Sequence, residues 1–204
     1  MLDNFIVHIV DDDEAVRQSL AFMLSTAGIP VRVYDSATSF LGALDGLQDG
    51  CLITDVCMPE MTGVELLREL KRRAIEIPAI VITGQGDIAL AVEAMKAGAI
   101  DFIEKPFEES VILASVRAAE ERATQKGKHA DTGAAIMAKL ATLSLRERQV
   151  LDGVVAGKPN KTIARDLGIS PRTVEVYRAN LMAKMEAGSL SELIRMALLA
   201  SPSD

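Results

Sequence analysis

Five times in the first 122 residues an apolar, β-rich run gives way to a stretch with helical spacing. The runs are FIVHIV (5–10), VRVYD (31–35), CLITDV (51–56), AIVITG (79–84) and AIDFIEK (99–105). The stretches that follow them are EAVRQSLAFMLSTAG, ATSFLGAL, TGVELLRELKRR, DIALAVEAMKAG and FEESVILASVRAAEERA. Continuous apolar runs belong to strands buried on both faces. A helix after every strand makes the sheet parallel and covered on both sides. The punctuation agrees: Gly28 and Gly98 stand where a helix ends on a left-handed residue, and Asp87 is a candidate N-cap.

Behind this α/β domain the pattern changes. RATQKGKHADTGA is polar, contains Gly and has no period, so 124–138 is expected to be a linker between domains at 1–123 and 139–204. KGKH and His129 within it are expected to be solvated. The remainder is helical. SLRE (144–147) and SLSE (189–192) match the capping box, in which Ser and Glu satisfy donors at a helix start. GISPRT supplies a stop at Gly168, a cap at Ser170 and Pro171 at the first helical position. Four short helices follow, at 144–156, 160–167, 171–185 and 190–200.

Charge divides the same way. The chain carries −7 overall, but from Lys139 onward ten Lys/Arg face seven Asp/Glu, leaving +3 behind and −10 in front. An acidic front and a basic back suit different partners, the second a polyanion. No apolar stretch approaches the roughly 20 residues of a membrane span, and the start lacks a basic signal region, so a cytoplasmic protein is expected. Cys51 and Cys57, at opposite ends of one strand, are too far apart for a disulfide and lack His neighbours for zinc. His8, mid-strand, is expected in the core.

The stretch IVDDDE (9–14) places acids directly behind the first strand. In an open parallel sheet, ligands sit beyond the carboxyl ends of the strands. Asp11 and Asp12 lie at the end of strand one, Asp55 at strand three, Thr83 at strand four and Lys105 at strand five. Crowded carboxylates raise one another's pKa unless a cation neutralises them, and a hard divalent ion, Mg²⁺ or Mn²⁺, suits oxygen donors. Asp13 and Glu14 have another use at the start of the first helix, where the dipole favours acids. Asp55, alone on the middle strand before VCMPEMTG, is placed to attack a phosphoryl group in line and form an acyl phosphate. Thr83 would donate to that group and Lys105 pair with its oxygens. Read singly, these acids are surface caps and Lys105 a structural ion pair; five such groups on one rim argue for a site.

VDDDE, ITDVCMP, VITGQGD and IEKPFE resemble the signature of two-component response-regulator receivers, and AVEAMKAGA with DFIEKPFE is especially similar to the FixJ subfamily. The resemblance implies a flavodoxin-like receiver phosphorylated on Asp55 by a sensor histidine kinase. It implies Mg²⁺ on Asp12, Asp55 and the Cys57 carbonyl, with Asp11 reached through water, and a switch pair of Thr83 and Phe102. Gln85, where many relatives have His, and Cys57, where Arg is common, are departures that bear on phosphoryl lifetime.

In the back domain, PNKTIARDLGISPRTVEVYRANLMAKM reads as a helix, a tight turn and a second helix. Val174, Leu181 and Met185 form one stripe of the second helix, edged by Tyr177 and Met182. Arg172, Glu175, Val176, Ala179, Asn180 and Ala183 lie opposite. Small residues there would let the helix enter a major groove, with Arg172 on phosphate or guanine, Glu175 on cytosine and Val176 on a thymine methyl. Arg178 would snorkel towards phosphate, and Asn160 and Lys161 would meet phosphate at the preceding helix start. LSLRERQVL, NKTIA and SPRTVEVYRANLMAKM resemble the LuxR-type helix-turn-helix of the same subfamily. The DNA-binding set is thus Asn160, Lys161, Arg172, Thr173, Glu175, Val176, Arg178, Ala179 and Asn180.

Together the two halves are expected to make a transcriptional regulator rather than an enzyme. The resemblance implies a homodimer when phosphorylated, through a face including Val92 and Lys96. It further implies double-stranded DNA and RNA polymerase as partners, no membrane, and activation of nitrogen-fixation and microaerobic genes under an oxygen-sensing haem kinase. Two alternatives are a receiver that dimerises without phosphate and a Mg²⁺-dependent phosphohydrolase. The first is opposed by the complete pocket, the second by the absence of a general acid and cap in the sequence.

Overall fold

The computed structural model describes residues 5–47, 49–84, 88–124 and 130–200. The Asp87 cap, Gln85, KGKH and His129 lie outside them. The chain divides into two compact units, one of 1–87 with 97–126 and the other of 88–96 with 127–204.

The first unit is built on strands β1 (Ile6–Val10), β2 (Val31–Tyr34), β3 (Gly50–Asp55), β4 (Ala79–Thr83) and β5 (Asp101–Glu104), all paired in parallel in the order β2-β1-β3-β4-β5. Every residue of β3 and β4 is buried, as their largely apolar sequences favour, the polar Thr54, Asp55 and Thr83 at their ends included. Helices α1 (Glu14–Thr26), α2 (Ala37–Gly42), α3 (Gly63–Arg72), α4 (Ile88–Ala97) and α5 (Glu109–Thr124) alternate with them. One core cluster joins Val7, Ile9, Leu20, Leu24, Ile53, Ile80, Ile82, Ile103, Ile112 and Val116. Each such side chain, fully buried, contributes about 1.5–3 kcal/mol relative to exposure.

Local chemistry starts and stops these helices. Asp13 caps α1, its carboxylate accepting from the N–H of Ala15 at 2.8 Å and of Val16 at 3.4 Å. Thr62 and Glu65 form a reciprocal capping box on α3. Gly28 and Gly98 take positive φ, 77° and 111°, just beyond α1 and α4. His8 is buried, with Nδ1 3.3 Å from the Tyr34 hydroxyl and its ring against Tyr34 and Phe40. Cys51 is buried and Cys57 exposed, and neither is in a disulfide. Burial, helped by the charge of Glu120, pushes the Cys51 thiol up to about 12, so it is inert.

The second unit contains α6 (Ala130–Ala141), α7 (Leu145–Val155), α8 (Asn160–Leu167), α9 (Pro171–Met185) and α10 (Leu190–Ala200). The last four match the expected helices within a residue. α6 does not: it begins inside the stretch expected to be an irregular linker. Its sequence, ADTGAAIMAKLA, is rich in good helix formers, and Ile136 and Leu140, four apart, are both buried. Also unforeseen is the grouping of α4 with this unit. Its Ala91, Val92, Ala94 and Met95 are all buried and together form one packed face of the helix. The core of the unit holds Val150, Val154, Ile163, Val174, Leu181, Met185, Leu193 and Ile194. Between α7 and α8 the approach is close, since a Cβ on Gly153 would stand 2.9 Å from Ile163 Cγ1.

Candidate functional site

The sheet order changes direction between β1 and β3, and the register Val10↔Thr54 puts the residues that follow, Asp11 and Asp55, at one level on adjacent strands. Asp11 is 2% and Asp55 7% exposed. Lys105, one residue past β5, brings its ammonium to both: Nζ lies 2.5 Å from Asp55 Oδ1 and 3.2 Å from Asp11 Oδ2. A main-chain bond from Lys105 N to Thr83 O at 2.8 Å holds that end of β5 against β4. Two carboxylates, an ammonium and the nearly buried Thr83 therefore share the rim that the strand order defines.

Hydrogen bonds fix each acid. Asp11 Oδ1 accepts from Asp13 N at 2.8 Å, and Arg17 Nη1 donates to the Asp11 carbonyl at 2.6 Å. Asp55 Oδ2 accepts from Cys57 N at 2.5 Å, leaving its other oxygen to Lys105. Burial pushes the Asp11 carboxyl above its usual range, against the pull of the Asp13 N–H and Lys105; the Asp55 charge adds to the rise. Burial draws the Lys105 ammonium down, but its bond and charge contact with Asp55, then those with Asp11, outweigh this and leave its pKa raised.

Gly63 closes the loop that follows Asp55. The first residue of α3, it donates its N–H to the Val56 carbonyl at 3.0 Å, and a Cβ there would meet the Asp55 carbonyl oxygen at 2.2 Å. The signal that placed it was present in TGVE, a capping box that sets where α3 begins.

Asp12 is exposed, and among the described residues no three His, Cys, Asp or Glu side chains are gathered closely enough to hold a metal ion. The donor chemistry still fits Mg²⁺, which takes one or two carboxylates and completes its octahedron with water and other oxygens. Thr83 is 3% exposed, its hydroxyl 3.4 Å from the Gly84 carbonyl, and Phe102 is half-buried. Of the expected dimer pair, Lys96 is exposed and Val92 is 1% exposed.

In the second unit, Gly168 (φ 65°) ends α8 and Ser170 caps α9, accepting from Thr173 N at 3.0 Å. Val174, Leu181 and Met185 are fully buried, with Tyr177 and Met182 half-buried. Arg172, Glu175, Val176, Ala179, Asn180 and Ala183 are all exposed, Val176 to 55%. An exposed valine among small and polar neighbours is what a groove-reading face requires. Lys161 is exposed; Thr173 is half-buried, its hydroxyl 2.8 Å from that of Ser170. Arg178 is half-buried, and its Nη1 donates to Asn160 Oδ1 at 2.8 Å. Sequence spacing also missed a tie at the foot of α9. Lys184 Nζ lies 2.8 Å from Glu147 Oε2, and Glu147 completes the capping box of α7 with Ser144. At the second expected box Ser189 accepts from Glu192 N, but the Glu192 carboxylate bonds Gly188 N.

Comparison with known proteins agrees with both halves. The model of the response regulator receiver domain matches residues 7–117, and that of the luxR family of bacterial regulatory proteins matches 141–197. The transcriptional regulatory protein FixJ of Azorhizobium caulinodans is 54% identical over 206 residues, spanning 100% of this chain and 98% of its own. FixJ of Rhizobium meliloti is 57% identical over 97% of each. Full-length FixJ from B. japonicum superposes with a TM-score of 0.59 at 49% identity, covering 96% of this chain and 97% of that one. Similar along nearly its whole length to proteins of one kind, the chain belongs to the FixJ subfamily of two-component response regulators, a receiver followed by a LuxR-type DNA-binding domain.

Proposed function

We propose that this regulator is switched by phosphorylation of Asp55, with 1–123 as receiver and 139–204 as the DNA-binding domain. The observation that carries the reading is the Lys105 ammonium bonded to Asp55 and reaching Asp11 on the rim where the sheet reverses order. Phosphoryl transfer needs positioning and charge stabilisation more than covalent chemistry from the protein. Asp55 Oδ2 is oriented by Cys57 N, and the ammonium stands where the oxygens of an incoming phosphoryl group would need it. Mg²⁺, held by Asp12, Asp55 and the Cys57 carbonyl with Asp11 through water, would supply the remaining neutralisation. For Asp12 this means turning in from its exposed position.

The donor would be a sensor histidine kinase. The new negative charge would draw on Thr83, and Phe102, half-buried on the neighbouring strand β5 opposite Val81, would follow. Dimerisation through Val92 and Lys96 requires that Val92 be uncovered, so the phosphorylated form would differ from this one at α4. A dimer places two reading helices on paired half-sites and recruits RNA polymerase to the promoters it occupies. By its resemblance to the FixJ subfamily, nitrogen-fixation and microaerobic genes would be its targets, with an oxygen-sensing haem kinase as donor.

The test is direct. Purified protein with Mg²⁺ and acetyl phosphate should gain the mass of one phosphoryl group and dimerise, and Asp55→Asn should do neither. Phosphoryl uptake by Asp55→Asn, or a wild-type protein that never takes phosphate, would remove the basis of the proposal.

A further inference from the structure

The bond from Arg178 Nη1 to Asn160 Oδ1 joins the middle of α9 to the first residue of α8. Both ends of this bond are unusual. Arg178 is half-buried on the flank of the packed stripe, and burial pulls its pKa below the ordinary arginine value although the Glu175 charge opposes this. A half-desolvated guanidinium weakens a fold unless it is well bonded, so its presence calls for a use. Asn160 follows Pro159, and α8 has no side-chain cap. Thr162 N and Ile163 N donate to the Pro159 carbonyl at 2.8 and 3.1 Å, and the N–H groups of Asn160 and Lys161 ahead of them face out of the helix start.

The direction of the amide follows from chemistry. Arginine has no acceptor, so Asn160 must turn its oxygen to Arg178 and keep its two N–H donors at the other end. Those donors then share a helix terminus with uncapped main-chain N–H groups, an arrangement suited to one phosphate.

We propose that Arg178 is a positioning residue for DNA binding, acting through Asn160. It turns the Asn160 amide so that Nδ2 and the α8 terminus present donors to one backbone phosphate, and it ties that terminus to the helix whose face meets the bases. The inference rests on the DNA-binding reading above. It replaces the expectation that Arg178 itself meets phosphate.

The test uses the full chain, phosphorylated with acetyl phosphate and Mg²⁺, and a 30-base-pair duplex that the wild type enriches from a random pool. Affinity is measured between 50 and 200 mM salt for wild type, Arg178→Ala, Asn160→Ala, the double variant and Arg178→Lys, with melting temperatures alongside. Each alanine variant should weaken binding about tenfold, and the double variant little more than either, because the two side chains act as a unit. Arg178→Lys, which keeps a donor for Asn160, should recover most of the loss. The salt slope should stay unchanged in Arg178→Ala, since no cation leaves a phosphate. Losses that multiply to about a hundredfold, or a slope reduced by about 0.9 as for a direct phosphate contact, overturn the proposal. Where Arg178→Ala melts below the assay temperature, Arg178→Gln loses the charge but keeps a donor. Retained slope then supports the positioning role and a reduced slope overturns it. Failure of the wild type to enrich any duplex would instead bring down the DNA-binding reading, and this inference with it.

Discussion

Gly63 lies so close to the main chain of Asp55 that a Cβ there would stand 2.2 Å from the Asp55 carbonyl oxygen. Nothing flexible lies in between, so any side chain must push the start of α3 and the end of β3 apart. The same contact sets the path of the loop that carries Cys57 N to the Asp55 carboxylate.

Gly63→Ala is therefore expected to harm both stability and chemistry. Overpacking of this kind costs about 1–3 kcal/mol. Phosphoryl uptake from acetyl phosphate should slow at least about tenfold, read by intact-mass kinetics beside a thermal melt. Unchanged uptake would show that the loop adjusts freely.

Lys105→Ala removes the one cation bonded to both pocket acids among the described residues. Loss of a preorganised donor to developing charge typically costs about a hundredfold in rate or more. Phosphorylation of Asp55 should slow by about that factor while far-UV circular dichroism stays the same. An effect below about threefold would assign Lys105 a structural role only.

Glu147 links the capping box of α7 to the foot of α9. Its bond to Lys184, then those to Ser144, hold its pKa at about 2 against 4.5 for a free glutamate. A carboxyl with a folded pKa below its unfolded one stabilises fully above about 4.5, and the contribution fades as pH falls through about 2. The helical unit should lose stability across that window. Glu147→Gln, which keeps an oxygen for Ser144 N but loses the charge facing Lys184, should cost up to about 1 kcal/mol at neutral pH and flatten the acid slope. Urea melts at a series of pH values check this; identical slopes would contradict it.

Glu175→Ala and Lys161→Ala should separate reading from holding. Both side chains are exposed. Glu175→Ala should relax preference at one base position by about 1–3 kcal/mol, seen by sequencing duplexes enriched from a random pool. Lys161→Ala should weaken all sequences alike and lower the salt slope by about 0.9. An unaltered base preference in Glu175→Ala would place that carboxylate off the bases.

Much of this protein was written in local patterns. Largely apolar runs such as CLITDV and AIVITG, apolar on both faces of the strand, dictate buried parallel strands, because only a sheet covered on both faces can hide both sides of such runs. Gly168, Ser170 and Pro171 set the turn between α8 and α9 through backbone preferences that act within a few residues. Helical period alone separated buried Val174, Leu181 and Met185 from the exposed face around Val176. Relations across long stretches of chain were decided only in three dimensions. Lys105 meets Asp55 across 50 residues, Lys184 meets Glu147 across 37, and Arg178 meets Asn160 across two helices. A local pattern fixes which face a residue occupies; which long side chain neutralises which buried charge depends on the register of strands and the seating of helices.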